Sequence, residues 1–238
     1  MNPVLQRARF YAILDTAYVP RQKWRSTCEA LVAGGAGLVQ VRAKPESSTE
    51  RALLLEEILP LFSAGVGKPI LVVNDDVELC ARTPGVGLHL GQDDTPPLEA
   101  RARIGADRVL GLSTHSWAQA EAAMALPHGT ISYFCIGPVF ATQTKPDYQP
   151  VGLELVRRVA AARPELPWFA IGGINCENLS AVADAGAPAV VAVSAVLRSG
   201  EPARAIRDMV RRLDAAARPA LPGSTDERRS QNGPLKRV

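Results

Sequence analysis

Strand-like apolar runs alternate with helical patterns eight times between residues 10 and 216, and this regularity restricts the fold more than any other feature. We predict strands at Phe10–Leu14, Leu38–Arg42, Ile70–Asn74, Gly87–Leu90, Val109–Ser113, Tyr133–Ile136, Trp168–Ile171 and Ala189–Val193. We predict the helices that follow them at Trp24–Ala33, Thr49–Ser63, Val77–Ala81, Leu98–Ile104, Trp117–Leu126, Leu153–Ala162, Glu177–Ala185 and Pro202–Ala216. Such alternation indicates βαβ units and a mainly parallel sheet.

The length of the chain bears on which parallel sheet forms. At 238 residues it is close to the roughly 250 typical of one (β/α)₈ barrel, so eight units favour an α/β fold of the TIM-barrel type. An open, doubly wound sheet is the alternative, because strand order cannot be read from one sequence. We expect one catalytic domain over residues 1–214 and a disordered tail over 215–238, where Pro, Gly, Ser and charged residues replace the apolar periodicity.

The net charge of +3 lies in the tail, which holds five of the 27 basic and two of the 24 acidic residues and leaves 22 of each in the body. A balanced body argues against a nucleic-acid partner, and no apolar run approaches the roughly 18 to 20 residues that cross a bilayer. We therefore expect a cytoplasmic protein that acts on small molecules, without membrane or nucleic-acid partners. The sequence leaves a homo-oligomer open. Four scattered cysteines without a C-x-x-C pair indicate buried thiols.

The second predicted strand continues into a row of polar residues at alternating positions. Gln40, Arg42 and Lys44 would share one face of an extended chain over roughly 13 Å. Such a row could contact a polar ring and an anionic group together, at the strand end where barrel enzymes carry their active sites. An exposed edge strand is the alternative, although it suits a parallel sheet less well because both faces of that sheet are covered.

Acidic pairs follow the next two strands. Asp75 and Asp76 come after Asn74, and Asp93 and Asp94 lie in the sequence GQDD. If the two strands pair, their tips are about 4.8 Å apart, so one carboxylate from each could reach a single hard cation. Mg²⁺ suits such a site because it takes few protein carboxylates and adds water and substrate phosphate oxygens. Helix capping explains either acidic pair alone at least as well.

The later strands are followed by hydroxyl groups, a long loop and glycines. The polar side chains after the fifth and sixth strands are Ser113, Thr114, His115, Thr142, Thr144 and Lys145. We expect the loop with the last three to close over a bound ligand, because long loops in compact domains are usually functional. Gly172, Gly173 and Ser194 follow the seventh and eighth strands, where barrels often bind phosphate. His89 alternates with apolar residues, which indicates a hydrogen-bonded structural histidine.

In chain order, the motifs YAILD, VQVRAK, LVVNDDVELC, GLHLGQDD, GLSTHS, GPVFATQTK, AIGGI and VAVSAVL resemble those of the thiamine-phosphate synthase family, over residues 10–200. The resemblance implies a TIM-barrel transferase that joins 4-amino-2-methyl-5-pyrimidinylmethyl diphosphate to 4-methyl-5-(2-phosphoethyl)thiazole, or to its carboxylated precursor, and releases diphosphate. The chain departs from the family's pattern at Ser132, where relatives often have Asp, and at the small residue Ala43. Neither position is assigned a catalytic role.

The resemblance also implies roles for the matching residues. Those that would hold the pyrimidine diphosphate are Gln40, Arg42, Lys44 and Asn74. Mg²⁺ would lie between Asp75 and Asp94, and Ser113 and Lys145 would contact the pyrimidine or the departing diphosphate. Those of the thiazole phosphate site would be Thr142, Thr144, Gly173, Val193 and Ser194. The catalytic set would be Arg42, Lys44, Ser113 and Lys145, because a leaving diphosphate needs its charge neutralised more than it needs a protein nucleophile.

Other functions remain alternatives at this point. A thiazole tautomerase paralogue would share the thiazole phosphate site and could use His115 as its general acid or base, but it would not need the full set of metal and diphosphate motifs. A non-catalytic sensor of the thiamine pathway would bind the phosphates without turnover. A phosphosugar isomerase-like barrel would share only the late phosphate loops.

Overall fold

The computed structural model describes residues 2–62, 67–142 and 148–216. Within these residues, eight parallel strands pair in chain order and β8 pairs with β1, so the sheet closes into a barrel. The strands are β1 (Phe10–Asp15), β2 (Leu38–Arg42), β3 (Ile70–Asn74), β4 (Gly87–Leu90), β5 (Leu110–Thr114), β6 (Tyr133–Ile136), β7 (Trp168–Ile171) and β8 (Val190–Ala192). The predicted TIM barrel is confirmed, and the open sheet is excluded.

The helices of the described residues lie between and around these strands. They are α1 (Pro3–Arg7), α2 (Trp24–Ala33), α3 (Ser48–Ile58), α4 (Val77–Arg82), α5 (Pro97–Ile104), α6 (Trp117–Met124), α7 (Gly152–Ala162), α8 (Leu179–Asp184), α9 (Ser194–Leu197) and α10 (Pro202–Ala216). The tail prediction lies outside the described residues from 217 onward, and residues 215 and 216 belong to α10. The domain assignment therefore stays a prediction.

Two predicted helices have different ends in the structure for identifiable local reasons, and four others differ by one or two residues at one end. The second predicted helix ends at Ile58 and continues only as a 3₁₀ turn over Leu59–Leu61, because Pro60 has no amide hydrogen for another α-helical bond. The seventh predicted helix starts at Leu179 rather than Glu177, since the Asn175 side chain accepts hydrogen bonds from the backbone of the next turn. Ser63 lies outside the described residues.

The short helices α1 and α9 were missing from the sequence prediction, because four or five residues carry too little periodicity to detect. Leu5 of α1 is buried in the cluster that fills the inside of the barrel, together with Tyr11, Tyr133 and Phe169. Helix α1 therefore covers the end of the barrel opposite the strand carboxyl ends. Helix α9 directly follows β8 and brings Ser194 to the other end.

The core has two layers, as the barrel architecture requires. One apolar cluster lies between the strands and the surrounding helices, and the other fills the inside of the barrel. All four cysteines are free thiols, but only Cys28, Cys80 and Cys135 are buried, whereas Cys176 is partly exposed. The prediction of four buried thiols is therefore wrong for Cys176, which lies in the turn before α8.

Candidate active site

Apart from Asp94, the predicted site residues that the structure describes line two adjoining depressions at the carboxyl ends of the strands. The outer one, here the carboxylate groove, is lined by Lys44, Arg51, Asn74, Asp75, Asp76 and Thr95, among others. The inner one, here the central pocket, is lined by Gln40, Arg42, Asn74, Ser113, Thr142, Gly173, Val193 and Ser194, among others. Asn74 borders both, so the two depressions meet at the end of β3. Thr144 and Lys145 lie outside the described residues.

The Asp75 and Asp94 carboxyl groups lie close to each other beside the carboxylate groove, which Asp75 lines. Burial raises the pKa of Asp75 above its usual value, the neighbouring Asp94 carboxyl raises it further, and Lys44 opposes the rise. The Lys44 ammonium lies 3.1 Å from the Asp75 carboxylate. Two acids share a space that suits one ionised carboxylate better than two, so a cation there would relieve their repulsion.

Local backbone geometry holds both of these carboxylates in place. Asp75 has a φ of 64°, a left-handed conformation that turns the chain sharply at the end of β3, and its amide donates to the carbonyl of His89 at 2.9 Å. The Asp94 carboxylate accepts a hydrogen bond from the amide of Gly91 at 2.6 Å. The strand pairing between β3 and β4 therefore brings the two acids together, as the sequence predicts.

The neighbouring acids Asp76 and Asp93 differ from their partners. Asp76 is the N-cap of α4, where its carboxylate accepts from the amide of Leu79 at 2.9 Å and lies 3.3 Å from Arg51. The helix-capping explanation thus holds for Asp76. Asp93 is exposed. The structure therefore distinguishes the members of each pair, with Asp75 and Asp94 facing each other.

The polar residues at alternating positions of β2 and just after it divide between the two depressions. Gln40 is buried inside the barrel and Arg42 lines the central pocket, whereas Lys44 turns toward the carboxylate groove. Arg42 donates to the Asp15 carboxylate at 2.7 Å, and Asp15 is completely buried. Asp15 ends β1 and was missed by the sequence reasoning. Its place at an inward position of that strand, in register with Arg42, is the signal that could have found it.

A chain of hydrogen bonds crosses the floor of the central pocket. The Ser113 hydroxyl lies 2.8 Å from Nε2 of His89, and Nδ1 of His89 lies 3.0 Å from the Tyr133 hydroxyl. Tyr133 donates to the Tyr11 hydroxyl oxygen at 2.9 Å, which also accepts from Gln40 at 2.5 Å. His89 is thus the hydrogen-bonded histidine that its strand position predicts. The two tyrosines were missed, because inward tyrosines look like ordinary core residues in a sequence.

Glycines shape the wall of the central pocket after β7. Gly172 and Gly173 have φ values of 102° and 66°. A Cβ on Gly173 would lie 2.7 Å from the carbonyl oxygen of Ala141, so the chains pack too closely there for any side chain. Next to these glycines, the neighbouring strand β8 leads through Val193 into α9, whose first residue is Ser194. This is the place where barrels commonly bind phosphate.

His115 lies beside the same pocket. Its Nδ1 lies within hydrogen-bonding distance of the Gly137 carbonyl, and its ring packs against Tyr148 with 4.3 Å between the ring centroids. Thr142 lies at the last described position before residues 143–147 and is partly exposed. The expected closure of this loop involves residues that the structure does not describe, so it stays a prediction.

Two further features concern the metal-binding capacity and the hydrophobicity of the described residues. In residues 2–62, 67–142 and 148–216, no group of three or more His, Cys, Asp and Glu side chains is arranged to hold a metal ion. A pair of carboxylates is therefore the candidate metal site, rather than a complete protein cage. None of the described helices has the length and hydrophobicity needed to span a membrane.

Comparisons with known proteins agree with this geometry. The sequence model of the family described as "Thiamine monophosphate synthase" matches residues 10–196. The thiamine-phosphate synthase of Arthrobacter sp. (strain FB24) is 39% identical over 234 residues, covering 90% of this chain and 98% of that protein. The one from Acidothermus cellulolyticus is 41% identical over 220 residues, covering 91% and 100%. The structure of a thiamine phosphate pyrophosphorylase from Pyrococcus furiosus superposes with a TM-score of 0.72 at 25% identity, covering 90% and 99%.

Proposed function

The chain belongs to the thiamine monophosphate synthase family, and from that membership we propose how its barrel joins the two substrates. As a thiamine-phosphate synthase it is a transferase of thiamine biosynthesis. The proposed reactants are 4-amino-2-methyl-5-pyrimidinylmethyl diphosphate and 4-methyl-5-(2-phosphoethyl)thiazole, or the carboxylated precursor of the latter. The bond from the methylene carbon to the diphosphate oxygen breaks, the electron pair leaves with diphosphate, and the thiazole nitrogen forms the new bond to carbon.

The observation that carries the proposal is the pair of facing carboxylates beside two cations at the junction of two pockets. Asp75 and Asp94 lie close to each other beside the carboxylate groove, Lys44 lies 3.1 Å from Asp75, and Arg42 lines the adjoining central pocket. A leaving diphosphate carries several negative charges, and each of the two pockets that meet at Asn74 is lined by one of these cations. This arrangement stabilises charge that develops as the carbon–oxygen bond breaks.

The carboxylate pair fits Mg²⁺. Burial and the neighbouring Asp94 raise the pKa of Asp75, so the positive charge of Lys44 does not fully compensate the negative charge of the two carboxylates. Mg²⁺ is usually bound by one or two carboxylates plus water and substrate phosphate oxygens, which agrees with a site of two acids rather than three. When bound, the ion supplies charge neutralisation for the diphosphate. We assign Asp75 and Asp94 as its protein ligands.

In this proposal, side chains of the barrel bind the diphosphate and the pyrimidine ring. Arg42 and Lys44 bind the diphosphate from the β2 side, and Asn74 orients it where the two pockets meet. Lys145 is assigned to the same anion from the loop after β6. The deeper wall, with Gln40 and Ser113, holds the pyrimidine ring and excludes water that would otherwise capture the electron-deficient carbon.

The thiazole phosphate is assigned to the opposite wall of the central pocket. The residues of this second site are Thr142, Thr144, Gly173, Val193 and Ser194. Gly173 lines this wall, and its lack of a side chain lets the segment at Phe140 and Ala141 pack directly against it. Ser194 adds a hydroxyl donor at the first turn of α9. The two reactants would thus approach each other from opposite walls.

A two-substrate assay tests the function. The purified protein is given both substrates with and without Mg²⁺, and thiamine phosphate and diphosphate are measured together. We expect the two products in equal amounts, and only with the metal. Conversion of the thiazole carboxylate between tautomers without diphosphate release would support the tautomerase alternative instead, and binding of either phosphate without turnover would support a sensor.

The Ser194 hydroxyl gives a prediction for the thiazole site. We expect Ser194→Ala to raise the KM for the thiazole phosphate by about tenfold, because a hydrogen bond to a charged group contributes roughly 1.5 kcal/mol or more. The KM for the pyrimidine diphosphate in the same assay is the internal control and should stay unchanged. If only the KM for the pyrimidine diphosphate rises, Ser194 contacts that substrate instead.

The raised pKa of Asp75 gives a prediction for stability in the absence of metal. An acid whose pKa is higher in the folded protein than its usual 3.8 destabilises the fold once it ionises. Below pH 3.8 the acid is protonated in both states and contributes nothing. The cost grows through the interval between that value and the folded-state pKa, and it is complete above it. We therefore expect Asp75→Asn to melt at a higher temperature than the natural protein at pH 7.

A series of melting curves without Mg²⁺ from pH 7 to pH 4 checks this prediction. The advantage of Asp75→Asn should shrink as the pH falls. Saturating Mg²⁺ at pH 7 should reverse the order, because it stabilises only the protein with both carboxylates. A variant that melts lower than the natural protein without metal would show that the Lys44 ion pair outweighs the repulsion.

A further inference from the structure

The hydrogen-bond chain on the floor of the central pocket has a direction that the hydrogens of its members determine. Burial raises the pKa of both Tyr11 and Tyr133, so each keeps its single hydroxyl hydrogen at any working pH. Tyr133 donates that hydrogen to Tyr11 at 2.9 Å. Its oxygen can therefore only accept from His89, whose Nδ1 lies 3.0 Å away.

This direction continues through His89 to Ser113. A neutral imidazole has one hydrogen, and with that hydrogen on Nδ1 the other nitrogen, Nε2, is an acceptor. The Ser113 hydroxyl lies 2.8 Å from Nε2 and therefore donates to it. The lone pairs of the Ser113 oxygen are left for the central pocket, which this residue lines. The pocket floor consequently presents a hydrogen-bond acceptor at this point.

The backbone of β5 is built to allow this arrangement. A Cβ on Gly111 would lie 2.1 Å from Cζ of Tyr133 and 2.6 Å from Nδ1 of His89, so only glycine leaves room for the two rings to meet. The rings stack with 5.6 Å between centroids and 25° between planes. His89 is only 6% exposed and Tyr133 not at all, so the direction is set without contact with bulk water.

We propose that His89 is a positioning residue that makes Ser113 a hydrogen-bond acceptor, so that the pocket selects a ring bearing an amino group over its oxo counterpart. The inference rests on the proposed function, which places an aminopyrimidine in this pocket. The 4-amino group donates hydrogen bonds, whereas a 4-oxo group only accepts them. The oxo oxygen would therefore face the acceptor oxygen of Ser113 with no hydrogen between them. A buried polar mismatch of this kind lowers binding substantially.

Competition by non-reacting ligands tests this without the chemical step. The probes are the monophosphate of 4-amino-5-hydroxymethyl-2-methylpyrimidine and its 4-oxo counterpart, and the readout is the ratio of their inhibition constants. We expect the natural protein to prefer the amino ligand by roughly tenfold or more. In Tyr133→Phe, the acceptor for Nδ1 is lost, and His89 can carry its hydrogen on Nε2 and donate to Ser113. The preference should then fall to about threefold or less.

A purely structural role for Tyr133 would weaken both ligands equally and leave the ratio unchanged, which would overturn the proposal. Tyr18→Phe removes a phenolic hydroxyl from a partly exposed residue that does not line the pocket, so it should keep the natural ratio. Ser113→Ala supplies an independent variant if Tyr133→Phe does not fold. It should also remove the preference, and a retained preference in it would overturn the proposal.

Condensation by the natural protein separates this inference from the function on which it rests. If thiamine phosphate forms but the amino preference is absent or survives in both variants, the proposed function stands and the role of His89 fails. If no condensation occurs, the proposed function fails by its own assay.

Discussion

Asp75→Asn is expected to lower kcat for condensation by about 10²- to 10³-fold, because it would remove one of the two carboxylates that we propose hold Mg²⁺ beside the leaving diphosphate. Asparagine is the substitution of choice here. Asp75 has a φ of 64°, and after glycine, asparagine is among the residues that most readily adopt this conformation. Replacement by alanine would add backbone strain to the loss of charge. The variant should also need a higher Mg²⁺ concentration for half-maximal rate.

Asp93→Asn is the matched control for this experiment. It removes the carboxylate adjacent in sequence to Asp94, but Asp93 is exposed, and the variant should retain near-normal turnover. Both variants are assayed across a Mg²⁺ titration, with melting temperatures recorded to exclude unfolding. Natural turnover by Asp75→Asn at limiting Mg²⁺ would refute the metal assignment, whereas equal losses in the two variants would point to a general effect of lost negative charge.

Asp15→Ala is expected to lower the free energy of unfolding by about 3 kcal/mol, since it leaves Arg42 in the barrel without its buried partner. Asp15 is completely buried, and it accepts from Arg42 at 2.7 Å and from the amide of Ala17 at 3.1 Å. For a chain of this length the change corresponds to a fall in melting temperature of roughly 6–12 °C. The KM for the pyrimidine diphosphate should rise as well, because Arg42 is no longer held in one orientation.

Asp214→Ala is the control for the loss of an Asp–Arg pair. Asp214 also pairs with an arginine, Arg9, at 3.0 Å, but its side chain is 54% exposed, and exposed pairs contribute about 1 kcal/mol or less. Its melting temperature and KM should stay close to those of the natural protein. An Asp15→Ala protein as stable as this control would show that Arg42 finds another partner or reaches solvent.

The barrel could be predicted from the sequence because its signal is repeated. Each strand is a short apolar run between polar ends, and errors of one or two residues in the bounds of β1, β5 and β8 leave the count of eight unchanged. The bounds of β2, β3, β4, β6 and β7 agree with the predicted ones. What failed is local. The second predicted helix, α3, ends at Ile58 ahead of Pro60, and α1 and α9 are too short to leave a periodic pattern.

The candidate site was predictable to a similar degree. Charged and polar residues after strands are visible in a sequence, and pairing between β3 and β4 brings Asp75 and Asp94 together as expected. Residues that act by supporting others were not visible. Asp15 and Tyr133 lie inside the barrel, and their importance depends on partners 27 and 44 residues away along the chain. Only the closed sheet shows which of these residues meet.

The meeting of two depressions at Asn74 has a consequence for redesign of this enzyme. In the proposed function, the carboxylate and lysine that face the diphosphate, Asp75 and Lys44, lie on one side of that residue, and the residues that would contact the ring lie on the other. A library confined to the floor around His89 and Tyr133 could therefore alter which heterocycle is accepted while the ionic machinery stays untouched. In related barrels, substitutions in the central pocket alone would likewise change the ring that is bound and leave the carboxylate groove as it is.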